Sequence, residues 1–326
     1  MRAARCSLLA VLQLLAAQSA LAEGSCLYVD GTSFIRQVTR IEDVPREYRD
    51  KAKCSGRGNA EPIAQPKEVE LSGPVRSSSF TTDLGRMEVR WQRKTEECFG
   101  KSPSRAVSDA ARAANRAVKS ARFSPRAKRP GQDWQIVFTD KESALAQFPS
   151  SIAVEGHPGF MVPPSQIYII SDFVSEGCSG SPVADVTLEQ VLLHEIGHAI
   201  EHILLDGSKV PPDRARSEGF ASWFEQYSAE YAVDIPDGQV VAYYNGLARE
   251  GIGSSEEPQP FDGSAQAYAV SALRFRAIVD RQGVSGLMRV YDLMAEKELP
   301  FDAAVREVLR WNDGAMQREM VRVLRK

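Results

Sequence analysis

Beyond residue 185 the apolar positions recur every three or four residues almost without a gap, which is the spacing of helices that bury one face. The pattern predicts helices over about 188–205, 217–233, 238–249, 264–282, 284–296 and 300–325, the last broken near Asp313-Gly314. Upstream the period shortens. Met87-Glu88-Val89-Arg90-Trp91 alternates behind Asp83-Leu84-Gly85, which predicts a hairpin over 80–93. Trp134-Gln135-Ile136-Val137-Phe138 and Gln166-Ile167-Tyr168-Ile169-Ile170 read as strands, with a short helix over 141–148 between them. Residues 104–122 are helical by spacing, with Val107, Ala110, Ala114, Val118 and Ala121 on one side and Arg105, Arg112, Arg116 and Lys119 on another. Strands first and helices after predict an α+β arrangement, not a doubly wound parallel sheet. Residues 23–75 carry scattered Pro and Gly without sustained periodicity and read as a loop-rich segment.

The first residues set the compartment. Arg2 and Arg5 precede an apolar stretch over 7–17, and Ala20-Leu21-Ala22 offers the small residues a signal peptidase needs. That stretch is shorter than the ~20 apolar residues of a membrane span. Residues 1–22 therefore read as a cleaved signal, and the mature chain as exported, periplasmic or secreted, with no transmembrane anchor. The expected division is 1–22 signal, 23–75 small N-terminal segment and 76–326 main domain.

Cysteine usage agrees with export. Of 5 Cys, Cys6 lies in the signal and Cys26, Cys54, Cys98 and Cys178 remain. Four cysteines in an oxidising compartment read as two disulfides with three possible connectivities. We expect Cys26–Cys54, stapling the N-terminal segment to itself, and Cys98–Cys178, tying the loop before the basic helix to the loop before residue 188. Charge changes the picture only locally. Losing Arg2 and Arg5 takes the net charge from −3 to −5, while 101–130 holds nine basic residues and one acid, Asp109. The remainder is acidic, which argues against a chain-wide nucleic-acid surface, so no nucleic-acid partner is expected. The basic stripe reads as the solvated face of a packed helix; a polyanion- or membrane-binding stripe is the other reading.

The chemistry is concentrated in Val191-Leu192-Leu193-His194-Glu195-Ile196-Gly197-His198-Ala199-Ile200-Glu201-His202, which holds three of the 4 His of the chain. Thr187 and Gln190 match a capping box, so the helix starts at Leu188. Four residues turn a helix by about 400°, which stacks His194 and His198 on one face, in reach of one zinc ion. Glu195, about 100° round, addresses water instead of metal. A catalytic zinc site wants a third protein ligand and an open position. Glu218, 20 positions past His198, can return on a second helix after the break at Pro211-Pro212. Glu225, seven further on, shares its face and either orients a ligand histidine or is a plain exposed glutamate. His198-Ala199-Ile200-Glu201-His202 also spells the inverted motif HxxEH. That reading leaves Glu218 unexplained, and His194 and His202 are about 12 Å apart along a helix, too far to share an ion. His202 is then a residue of the second shell or of the solvent face.

HEIGH followed by SEGFASWFE resembles the gluzincin zinc site, and the second piece is similar to the glutamate helix of the aminopeptidase-N family. The resemblance extends to peptidase-MA-like domains over about 80–326. It implies a zincin-like catalytic domain: a small mixed sheet with an edge strand over the HExxH helix, then a mostly helical C-terminal half. It implies one Zn2+ on His194, His198 and Glu218, with Glu195 as general base for peptide hydrolysis. The edge strand, placed around 167–170, would pair with an extended peptide or protein substrate. The interval of 20 is one longer than that family's usual spacing. Its exopeptidase motif should fall near the edge strand, where Gly159-Phe160-Met161-Val162-Pro163 carries no acid, so an endopeptidase is expected; Glu155 and Glu176 are the acids that could substitute. Tyr268 matches the segment that carries a carbonyl-facing donor in the aminopeptidases, with Tyr243 and Tyr244 as competitors. A catalytically silent zinc domain serving recognition or assembly is the alternative, although such domains commonly lose the glutamate found here at 195.

Overall fold

In the N-terminal segment three short strands pair antiparallel where the sequence promised only loops: β1 (Cys26–Val29), β2 (Ile35–Val38) and β3 (Lys53–Cys54), in the order β2-β1-β3. Strands of 4, 4 and 2 residues are too short to show a period. Cys26 and Cys54 are register partners on adjacent strands. The computed structural model describes residues 74–98, 102–123, 133–147, 158–162, 165–174, 187–205, 208–211, 213–252 and 261–326, Leu71, and upstream the three strands with residues 42, 46 and 49. The expected signal, Glu155, His157, Glu176 and Cys178 lie outside these residues, and the Cys98–Cys178 pairing with them.

The main sheet has five strands in the order β4-β5-β6-β8-β7. β4 (Val75–Thr82) and β5 (Gly85–Gln92) form the expected hairpin around Asp83-Leu84, with Met87, Val89 and Trp91 buried and the residues between them turned outward. Gly85 takes φ 126°, a conformation that side chains resist. β5, β6 (Asp133–Thr139) and β8 (Gln166–Ile170) run parallel, and β7 (Gly159–Val162) closes the sheet antiparallel to β8. The sheet is therefore mixed, as expected, but its edge is not. Residues 167–170 sit between β6 and β7, so their main-chain groups are already paired. The outer strand beside the helices is β7. Its four residues end against Pro163-Pro164, too short a run to read from sequence.

The helices are α1 (Arg93–Cys98), α2 (Pro103–Ser120), α3 (Lys141–Gln147), α4 (Ser171–Val174), α5 (Leu188–Leu205), α6 (Arg214–Ala229), α7 (Gln239–Ile252), α8 (Ala265–Lys297), α9 (Phe301–Leu309) and α10 (Asp313–Leu324). Their local causes are visible. Ser102 caps α2 ahead of Pro103 at its first position. In α5 the Thr187 amide donates to Gln190 Oε1 at 2.9 Å and the Gln190 amide to Thr187 Oγ1 at 3.3 Å, a reciprocal capping box. Asp213 caps α6, which starts three residues before the expected 217. Gly283, at φ 68°, breaks α8 between the two helices expected there. The last break falls at Arg310–Asn312, and Asp313-Gly314 opens α10 instead of interrupting a helix.

One face of the sheet packs on α2 and α5, joining Trp134, Ile136, Phe138, Ile167 and Ile169 to Ala110, Ala114, Leu192 and Ile196 in one core. α5, α6 and α8 approach to backbone contact. A Cβ on Gly197 would lie 2.9 Å from Ala221 Cα, and one on Gly219 would lie 2.9 Å from the Ser271 carbonyl carbon. No helix among the described residues is long and apolar enough to cross a membrane.

Candidate metal centre

The polar stripe of α5 meets the first two turns of α6 in the space those glycines leave. His194 Nε2 lies 3.4 Å from Glu218 Oε2, and His198 Nε2 lies 3.2 Å from the same oxygen. Among the described residues these three form the group that could hold a metal, with ligand atoms all within 4.8 Å of one another. Two atoms bound at ~2.0–2.1 Å to one tetrahedral ion lie about 3.3 Å apart. The nitrogen–oxygen spacings match that value, and two imidazoles with one carboxylate are a donor set suited to zinc.

Each histidine turns its other ring nitrogen to a partner. His198 Nδ1 pairs with Ser217 Oγ at 3.1 Å, and His194 Nδ1 lies 3.4 Å from Glu225 Oε2. Glu225 is buried and doubly held: Tyr244 donates its hydroxyl at 2.8 Å, and Gln190 Nε2 donates at 3.3 Å. The cap residue of α5 thus braces the carboxylate behind His194. Tyr244 is committed to Glu225, and Tyr243 is exposed. Tyr268 sits over the site with its ring centroid 6.2 Å from that of His194. Arg214 Nε stands 3.8 Å from Glu218 Oε1. His202, half-buried two turns past His194, lies outside the converging group.

Electrostatics show a pocket that favours positive charge. Burial opposes a proton on His194, but hydrogen bonds from its ring to the carboxylates of Glu218 and Glu225, with the nearby acidic charges, outweigh it and push its pKa up to about 10. Burial likewise opposes charge on Glu218, yet the two histidines hold its carboxyl well below the usual range. Glu195 behaves differently: burial raises it, against the pull of His198 and His194. Its Oε2 has no hydrogen-bond partner among the described residues, although the residue is only 4% exposed. Above it lies β7. A Cβ on Gly159 would come within 3.1 Å of Glu195 Cγ and Oε1, so the strand roofs the carboxylate closely and a side chain there would displace it by a few tenths of an ångström.

Glu201, the glutamate of the overlapping motif, is engaged elsewhere. Its Oε1 accepts from Arg216 Nε at 2.9 Å and from the Tyr291 hydroxyl at 2.6 Å, away from the three converging ligands. Ser217, Gln190 in its bracing role, Arg214 and Gly159 were not legible in the sequence. Each acts through a contact between elements, and none belongs to a spacing pattern.

No protein-family model matches the chain, and no curated protein matches it by sequence. Among solved structures it resembles the M1 zinc metallopeptidase from Deinococcus radiodurans, at 16% identity and a TM-score of 0.45. It also resembles a two-domain M1 zinc metallopeptidase variant bound to L-arginine, at 17% identity and a TM-score of 0.44. Both matches cover 77% of this chain and 52% of the other, so the chain spans about half the length of the structures it matches. At such distance the functional reading rests on the residues themselves.

Proposed function

We propose that this chain is a zinc-dependent endopeptidase, with His194, His198 and Glu218 as ligands and Glu195 as general base. The observation that carries the reading is the meeting of two imidazole nitrogens with one carboxylate oxygen at 3.2 and 3.4 Å, beside a buried glutamate oxygen with no hydrogen-bond partner among the described residues. Bound zinc supplies Lewis acidity, polarising a carbonyl and making water acidic. Glu195 takes the proton of the attacking water on its open oxygen and passes it to the leaving amine. Tyr268 donates to the carbonyl oxygen as charge builds there. Glu225 and Ser217 orient the two ligand imidazoles. An extended substrate pairs along β7, the outer strand, which carries no acid to bind a free amino terminus.

Metal analysis and peptide-library cleavage test this together. The wild type should hold one zinc per chain and cut within peptides. Glu195→Gln should keep the metal while kcat falls ~10²–10⁴-fold, the range typical of general-base removal. His198→Ala should lose both. Zinc without cleavage in the wild type would favour the silent recognition domain, and zinc loss in Glu195→Gln would overturn the assignment of roles.

Export and a Cys26–Cys54 disulfide belong to the same proposal, supported by the register of β1 and β3. Non-reducing peptide mapping of the secreted protein should recover that pair; Cys54 joined to Cys98 would exclude it.

A further inference from the structure

Glu201, Arg216 and Tyr291 form a buried polar cluster that the proposed chemistry does not use. Glu201 and Arg216 are 3% and 7% exposed, and Tyr291 is fully buried. Glu201 belongs to α5, three residues past His198. Arg216 belongs to α6, two residues before Glu218. Tyr291 reaches in from the second half of α8. Arg216 also donates from its guanidinium to the Pro211 carbonyl at 3.2 Å, while its amide binds the cap Asp213 at 3.0 Å.

A buried ion pair is a poor source of stability, because desolvating both charges costs about as much as their attraction returns. Its attested use is to specify one register among several. Here the pair joins the same two helices that the three ligands join. Glu218 lies in the second turn of α6 and Ser217 in the first, the part of a helix most prone to fray. A single crossing point between two helices leaves one free to swivel about it; a second, displaced crossing removes that freedom. Arg216 leaves α6 about 200° round from Glu218, so the ion pair and the ligand group lie on different sides of the helix.

We infer that Glu201, Arg216 and Tyr291 are positioning residues that lock α6 against α5, so that Glu218 and Ser217 face the two histidines before any metal arrives. This rests on the zinc reading above. The cluster sets metal affinity and leaves the folded state itself little changed.

The test uses the full mature chain, stripped of metal, with zinc affinity read by chelator competition and ligand geometry by the visible spectrum of the Co2+-loaded protein. The double variant Glu201→Met/Arg216→Met replaces the pair by apolar side chains of similar length. Its metal-free form should still fold and melt cooperatively, while zinc binds ~10–100-fold more weakly, the range seen when the groups that orient metal ligands are lost. The Co2+ spectrum should shift as well. Tyr291→Phe keeps the ring, removes one hydrogen bond and should weaken zinc binding severalfold, which decides the matter if the double variant does not fold. Unchanged zinc affinity and an unchanged spectrum in the folded variants would overturn the inference. A wild type that binds no zinc would instead overturn the zinc reading on which it rests.

Discussion

Two helices of 18 residues, α2 and α5, lie against the same face of the sheet and treat charge in opposite ways. On α2 every buried position is Ala, Val or the leading Pro. Its basic residues stand outside, where Arg105 and Arg112 face Asp109 and Lys119 pairs with Asp83 across the hairpin turn. α5 buries Glu189, Glu195 and Glu201 and half-buries three histidines in the same core. Burying an unpaired charge costs several kcal/mol, so such a helix persists only if other elements answer each group. For Glu201 and the two ligand histidines they do so from α6, α7 and α8. Glu201 is met by Arg216 and Tyr291, His198 by Ser217, and His194 by Glu218 and by a Glu225 that Tyr244 holds. Beside those answered groups, Glu195 Oε2 has no hydrogen-bond partner among the described residues. A surface-charged helix tolerates change anywhere on its polar face; a helix charged on the inside exposes its function through the group left over.

Three substitutions probe that contrast in decreasing order of expected effect. Tyr268→Phe removes a hydroxyl on the α5 side of the comparison. A positioned donor of this kind is worth about a hundredfold in rate, so kcat should drop by that order with zinc content unchanged; wild-type turnover would make Tyr268 a packing residue. Glu225→Gln removes the charge behind His194 while keeping much of the shape. Zinc affinity should weaken by about tenfold, as when such orienting carboxylates are lost, and an unaltered chelator competition curve would reduce Glu225 to a structural partner of Tyr244. The combined change Arg112→Ala, Arg116→Ala and Lys119→Ala strips the outer face of α2. Thermal stability should move by no more than about 0.5 kcal/mol, and turnover not at all. A marked loss of either would show that this face does more than meet solvent.

The ligand set and the helices that carry it were legible because each has a period or a cap behind it. The α5 bounds, Leu188–Leu205, followed from a capping box and a repeating apolar face. The start of α6 was placed late because Asp213, one residue past Pro211-Pro212, is its cap, and an aspartate after two prolines also suits a loop. Gln190 shows the limit more sharply. Its spacing from Thr187 gave away its cap bond, but the hydrogen bond from its other amide atom to Glu225 crosses 35 positions and leaves no mark in either segment. The edge strand was misplaced for a related reason. Residues 166–170 are the more apolar run because they are buried on both faces, and the true edge, half-buried and four residues long, gives the weaker signal.

Gly197 occupies one of the two variable positions of HExxH, and in this chain that position is not variable. With the Ala221 Cα only 2.9 Å from where a Cβ would stand, any side chain there must drive α5 and α6 apart by roughly half an ångström or more. Metal–ligand distances tolerate only about ±0.2 Å. The glycine therefore acts as a spacer gauge: it sets the gap between helices that the three ligands must close, and even alanine would leave every ligand in place by name and out of reach by distance.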